Sequence, residues 1–166
     1  MIECIEIDPQ HPRPDLIRMV ASALLSGQLV ACPTDTTYGI FSVFNNNEGV
    51  RRLTAMRQSV GQDDVLPENR KEKPLALLCN SIKMLSEYVV LSDQAFRLTR
   101  HLLPGPYTLI LPATREIPKK LQSKRKQIGV RMPDSPLVND IITSLGMPLF
   151  STTAKNPDGE LISNAI

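Results

Sequence analysis

Pro33-Thr34-Asp35-Thr36-Thr37-Tyr38-Gly39 stands directly after the apolar run Leu29-Val30-Ala31-Cys32. The run reads as a strand of the type buried on both faces. The seven residues that follow read as a tight turn carrying three threonine hydroxyls, a carboxylate and a phenol. Such groups donate to and accept from a small polar ligand, and α/β sheets bind ligands where loops converge at the carboxyl ends of strands. Taken alone, the same residues also fit an ordinary Asx or hydroxyl turn.

Upstream, Cys4 to Ile7 reads as a short strand. Leu16, Ile17, Val20, Leu24 and Leu25 recur at helical spacing from Asp15 to Ser26, with Gly27 closing the helix. Downstream, Asn45 to Asn47 offer caps for a helix beginning near Glu48 and carrying Val50, Leu53 and Met56. From Gln58 to Lys73 the periodicity dissolves into a charge-rich stretch that reads as a long mobile loop. Strands are expected at Leu75 to Cys79, Tyr107 to Leu111, Ile128 to Met132 and Leu149 to Thr152, the last with an exposed edge. Ser81, Ser92 and Ser135 are placed to cap helices, the second running to about Leu103 and the third ended by Gly146. Alternation of strands and helices implies a single α/β domain.

Composition excludes several function classes. The 166 residues carry a net charge of +2 and no apolar run of the roughly 20 residues needed to cross a bilayer. With no secretory leader in view, a cytoplasmic location without membrane association is the expectation. Cys4, Cys32 and Cys79 are scattered in apolar runs and read as buried, reduced thiols; no metal site is expected. His11 and His101, the only histidines, sit in a turn and at a helix end and supply no triad. Lys119, Lys120, Lys124, Arg125 and Lys126 fall within eight residues, flanked by Arg115 and Arg131. Such a cluster is either a solvated face or an attractor of phosphates. Without tryptophan, and with only 4% aromatic residues, a base-stacking surface for single strands is not expected.

Two further segments follow expected strands: Gly129-Val130-Arg131-Met132-Pro133, with a guanidinium suited to bidentate binding of carboxylate or phosphate, and Ser151-Thr152-Thr153-Ala154-Lys155-Asn156. Together with Pro33 to Gly39 they describe a polyanion pocket with no evident nucleophile. That inventory suits adenylyl or phosphoryl transfer, in which positioning and charge neutralisation supply most of the catalysis. Neither a Walker loop nor a GxGxxG fingerprint is present.

In their order, these motifs resemble the YrdC-like family, which includes threonylcarbamoyl-AMP synthases. Pro33 to Gly39 matches its PTDT-x-YG motif, Lys73-Pro74-Leu75 its KPL element, Pro104 to Leu111 its PGP-x-T-x-I-L segment and Gly129 to Pro133 its GVR-x-P. Ser151 to Lys155 approximates its STSAN segment. The resemblance implies an open, strongly twisted mixed sheet with flanking helices around a concave basic cavity. It also implies the family reaction, in which threonine, bicarbonate and ATP give threonylcarbamoyl-AMP and pyrophosphate for tRNA modification, by a nucleotidyltransferase of the L-threonylcarbamoyladenylate synthase type.

By position, Thr34, Thr36 and Tyr38 would shape the threonine pocket. Lys73, Arg131 and Arg57 would be the catalytic cations, and Ser151, Thr153, Lys155 and Asn156 would face the nucleotide, with Mg²⁺ on the triphosphate. The synthases' Lys-x-Arg reads here Arg57-Gln58-Ser59, and their Ser-x-Asn reads Thr153-Ala154-Lys155. Arg70 or Lys71 would compensate for the arginine replaced by Ser59. These departures resemble the YciO branch, for which the alternative is a tRNA- or double-stranded-RNA-binding paralogue without synthase activity. In that reading Lys119, Lys120, Lys124, Arg125 and Lys126 contact RNA, and a partner protein in tRNA modification has a place. The C-terminal strand-containing segment usual in the family has no counterpart here, as in a fragment or a shortened form.

Overall fold

The computed structural model describes residues 3–59, 75–156 and 160–162. Elements run α1 (Pro14–Leu25), β1 (Val30–Pro33), β2 (Tyr38–Val43), α2 (Asn47–Ser59), β3 (Ala76–Leu78), α3 (Ile82–Tyr88), α4 (Asp93–Leu102) and β4 (Leu109–Pro112). A 3-10 turn (Lys119–Leu121), β5 (Gln127–Arg131), α5 (Pro136–Leu145) and β6 (Leu149–Thr153) complete them. The strands form one open, mixed sheet in the order β1-β2-β6-β3-β5-β4, in which only β3 and β5 run parallel.

Two apolar layers hold the sheet. On one face, Ile17, Val20 and Leu24 of α1 and Val138, Ile141 and Ile142 of α5 pack on Phe41, Val43, Leu78 and Leu149. On the other, Val50 and Leu53 of α2 and Leu85 of α3 pack with Leu77, Ile128, Val130 and Phe150. Neighbours in each strand thus go to opposite faces, as the pleat requires. The expected helix punctuation is present. The Ser81, Ser92 and Ser135 hydroxyls accept from the backbone N–H of Met84, Ala95 and Val138, and Gly146 ends α5 at φ 66°.

Several expectations need correction. Residues 4–7 form no strand, and Cys4 is exposed, because the segment has no ladder partner among the described residues. β1 is an edge strand with Ala31 exposed, not a strand covered on both faces. β6 lies in the interior between β2 and β3, so its edges are paired and not exposed. β2 was hidden in the sequence because small residues interrupt its apolar alternation. α2 continues through Gln58 and Ser59, and the remainder of the expected long loop lies outside the described residues.

The small residues of β2 answer to packing. Ser42 is fully buried where α2 approaches, and a Cβ at Gly49 would stand 2.5 Å from its Oγ. A Cβ at Gly39 would lie 2.6 Å from two ring carbons of Phe41, itself 1% exposed. Gly39→Ala should therefore cost about 1–3 kcal/mol through overpacking, seen as a lower midpoint in urea at unchanged slope. An unchanged midpoint would show that the ring has room to move.

Candidate functional site

The pairing register builds a shallow floor. Phe41 opposes Ser151, Ser151 opposes Ala76, and Ala76 opposes Gly129, forming a row of mostly small side chains across four strands. The next row, Val43, Leu149 and Leu78, lies beneath α1 and α5 and ends at Arg131 of β5. Where the helices stop, a cavity of about 180 Å³ opens. Its walls include Thr34, Thr36, Thr37 and Tyr38 of the turn, Arg57 at the end of α2, Thr108, Arg131 and Pro133, and Ser151 to Thr153 of β6. The site therefore lies over the sheet's face as well as at strand ends.

The turn between β1 and β2 is knotted by one hydroxyl. Thr34 Oγ1 donates to the Thr37 carbonyl at 2.7 Å and accepts from the backbone N–H of Thr36 and Thr37. It also lies 3.2 Å from Thr36 Oγ1. Since the single Thr34 hydroxyl proton goes to Thr37, Thr36 must donate in that last bond. Thr36 Oγ1 in turn accepts from Arg131 Nη2 at 3.1 Å. Both hydroxyls are thus committed within the turn and to Arg131.

Arg131 is held from three directions. Nη2 also donates to Asp35 Oδ1 at 2.6 Å, an ion pair whose side chains are only 15% and 12% exposed although the turn's backbone lies at the surface. Nε donates to the Gly105 carbonyl at 3.3 Å. Gly105 is suited to this approach, with φ 158° and its own N–H donating to Met132 O. Partners 96 and 26 residues away in sequence are thereby joined at the end of β5.

The other expected residues divide. Thr34, Thr36, Tyr38, Arg57, Arg131, Ser151 and Thr153 come together around the cavity. By alternation Tyr38 belongs with Ile40, opposite Gly39 and Phe41. Its backbone N–H donates to Ile162 O, and its carbonyl accepts from Ala154 N–H. Lys155 and Asn156 do not border the cavity. Lys155 bridges Leu161, and Asn156 exchanges hydrogen bonds with Glu160 through backbone and side chain. Lys73, Arg70 and Lys71 lie outside the described residues, as does the Ser59 side chain.

Lys119, Lys120, Lys124, Arg125 and Lys126 are all exposed on the β4–β5 connection and do not line the cavity. The connection leads into β5, whose start at Gln127 lies roughly 13 Å from Arg131 at about 3.3 Å per strand residue. The motif reading gave no separate role to Asp35, Gly105 or Thr108. The available signal for Asp35 was its place between two threonines in a turn.

A family model for Sua5, YciO and YrdC proteins, described as "Telomere recombination", matches residues 22–165. The chain belongs to the Sua5/YciO/YrdC family. It is 32% identical to the uncharacterized protein YciO of Escherichia coli K12 over 161 residues, covering 96% of this chain and 73% of that protein. It is also 32% identical to a threonylcarbamoyl-AMP synthase of Photobacterium profundum over 143 residues, covering 84% and 72%. The crystal structure of E. coli YciO superposes with a TM-score of 0.77 at 32% identity, covering 89% of this chain and 67% of that one. P. abyssi Sua5 complexed with L-threonine has a TM-score of 0.74 at 24% identity, covering 87% and 40%, which shows the fold alone.

Among the described residues no three His, Cys, Asp or Glu side chains gather to hold a metal, and no helix is long and apolar enough to cross a membrane. His11 lies beside Asp8 at the surface, and His101 is exposed at the end of α4. Burial pushes the thiols of Cys32 and Cys79 up to about 12, which removes both as nucleophiles at neutral pH. Each raised thiol favours the fold below its unfolded value, and that contribution is lost as pH rises through about 12. A disulfide-exchange reagent at pH 8 should therefore modify Cys4 quickly and the other two only after denaturant is added. Rapid modification of all three in the native protein would contradict this burial.

Proposed function

We propose that the chain is an ATP-dependent enzyme of the threonylcarbamoyl-AMP synthase type, forming that product or acting on a closely related intermediate in tRNA threonylcarbamoyladenosine biosynthesis. The observation that carries this reading is the meeting of Arg57 and Arg131 over the hydroxyl-bearing end of β6 in one cavity. Its membership in a family that includes threonylcarbamoyl-AMP synthases supports the choice of chemistry.

In this reading the threonine nitrogen first bonds to the carbon of bicarbonate, with loss of water. An oxygen of the resulting carbamate then attacks the α-phosphorus of ATP, and the bond to the β-phosphate breaks to release pyrophosphate. Arg131, with Lys73, takes a carboxylate, carbamate or phosphate oxygen. Arg57 and the Ser151 and Thr153 hydroxyls face the phosphates, while Lys155 and Asn156, outside the cavity lining, would meet only a part of the nucleotide that extends beyond it. Thr34, Thr36 and Tyr38 shape the threonine side through the turn they build. Asp35, which stands between the lining residues Thr34 and Thr36, is already paired with Arg131. Mg²⁺ would therefore enter on the triphosphate, as this ion commonly does.

A second reading, an RNA-binding paralogue without synthase activity, rests on the β4–β5 connection. Its five cations are exposed, and none forms an ion pair among the described residues. A tRNA or double-stranded RNA backbone would be its ligand, with a partner protein in tRNA modification acting beside it.

Incubation with L-threonine, bicarbonate and Mg·ATP should release pyrophosphate only when threonine is present. Arg131→Ala should lower that rate by about 100-fold, the usual scale for losing one donor at developing charge. Release independent of threonine, or none at all, removes the synthase reading. For the second reading, RNA affinity should fall steeply with salt and be lost when all five loop cations become alanine. Binding that survives the five substitutions removes that surface.

A further inference from the structure

We infer that Asp35 is a positioning residue that locks the Arg131 guanidinium so that only one nitrogen, Nη1, is offered to a ligand. Donor bookkeeping carries the inference. An arginine side chain has five N–H donors in a planar fork. The Nε proton goes to Gly105 O, and the two Nη2 protons go to Asp35 Oδ1 and Thr36 Oγ1. The two protons left are both on Nη1.

Fork-to-fork binding of a carboxylate or phosphate needs two nitrogens side by side. Both edges that could supply them include Nη2 or Nε, which are committed. A ligand in the cavity lined by Arg131 therefore meets a single nitrogen and is held through one oxygen. The bidentate mode that the sequence suggested is closed to it.

Asp35 does not border the cavity, so it acts through Arg131 and not on the ligand. The lock is built into the turn. Thr36 accepts from Arg131 and donates to Thr34, and Thr34 donates to Thr37. Rotation of the guanidinium would break this chain as well as the ion pair. The pairing also cancels the local charge of Arg131, so the ligand is recognised there by direction more than by net charge.

The ligand's identity rests on the reading proposed above, but the lock can be tested without it. In the nitrogen-15-labelled full chain, the Arg131 Nε–H signal, assigned by its loss in Arg131→Lys, should be protected from solvent exchange and its Nη protons distinct. Asp35→Asn keeps an acceptor and should weaken these signatures; Asp35→Ala should abolish them while the melting profile remains cooperative. If Asp35→Ala fails to fold, Thr36→Val with Asp35→Asn replaces it, with the same expected loss. Free averaging of Arg131 in the wild-type chain, or a signature unchanged in the variants, overturns the inference.

The second arm measures affinity for pyrophosphate and Mg·ATP. Positioning predicts about tenfold weaker binding in Asp35→Ala, equivalent to about 1.4 kcal/mol. Removing a negative charge beside an anion site would by itself strengthen binding, so unchanged or tighter binding overturns the lock. If the wild-type chain binds neither probe, the enzymatic reading fails, and the guanidinium signals alone decide the inference.

Discussion

β6 joins two halves of a sheet that would otherwise be separate. On one side it pairs antiparallel with β2, from Gly39 opposite Thr153 to Val43 opposite Leu149. On the other it pairs antiparallel with β3, from Ala76 opposite Ser151 to Leu78 opposite Leu149. Among the described residues the β1–β2 hairpin and the β3–β5–β4 group share no ladder except through it, and the bonds from Arg131 to Asp35 and Thr36 tie them a second time. Strand partners so distant in sequence impose a large loop-closure entropy before any contact repays it. The reward is cohesion, because Leu149 and Phe150 reach opposite core layers from adjacent positions.

That arrangement also decides where a ligand can lie. Strands that pair in register place their side chains in rows, and one row here is kept low by Ser151, Ala76 and Gly129. Two arginines reach the space above from quite different places, Arg57 from the end of α2 and Arg131 from the end of β5. The turn after β1 closes the third side. Its threonines hold the wall by bonding to one another and to Arg131, so the hydroxyls most prominent in the motif belong to the scaffold.

Much of this was legible in the residues, and the reasons for the rest are specific. The helices announced themselves through apolar spacing and through Ser81, Ser92 and Ser135, since a cap is a local interaction. The motifs after β1, β5 and β6 converged because each follows a strand. β2 was illegible because Gly39 and Ser42 are small for the sake of Phe41 and α2, contacts that no local pattern encodes. Cys4 to Ile7 had the alternation of a strand but no partner, and pairing is not a property of one segment. The Arg131 and Asp35 interaction spans 96 positions, beyond any periodicity. Lys155 and Asn156 sat in the right motif, yet their backbone was drawn into pairing with residues 160 and 161.

The two ends of β5 carry positive charge in different forms. At Arg131 the charge is matched by Asp35 and, at long range, nearly cancelled. At the opposite end, Lys119, Lys120, Lys124, Arg125 and Lys126 have no acidic partner among the described residues. Exposed charges of this kind are screened over about 8 Å at physiological ionic strength. Of these two ends, the loop keeps its charge open to solvent and to salt, whereas the charge of Arg131 is met at contact distance by Asp35. One strand thus carries positive charge in two forms, the first weakened by ionic strength and the second, only 15% exposed, largely shielded from it.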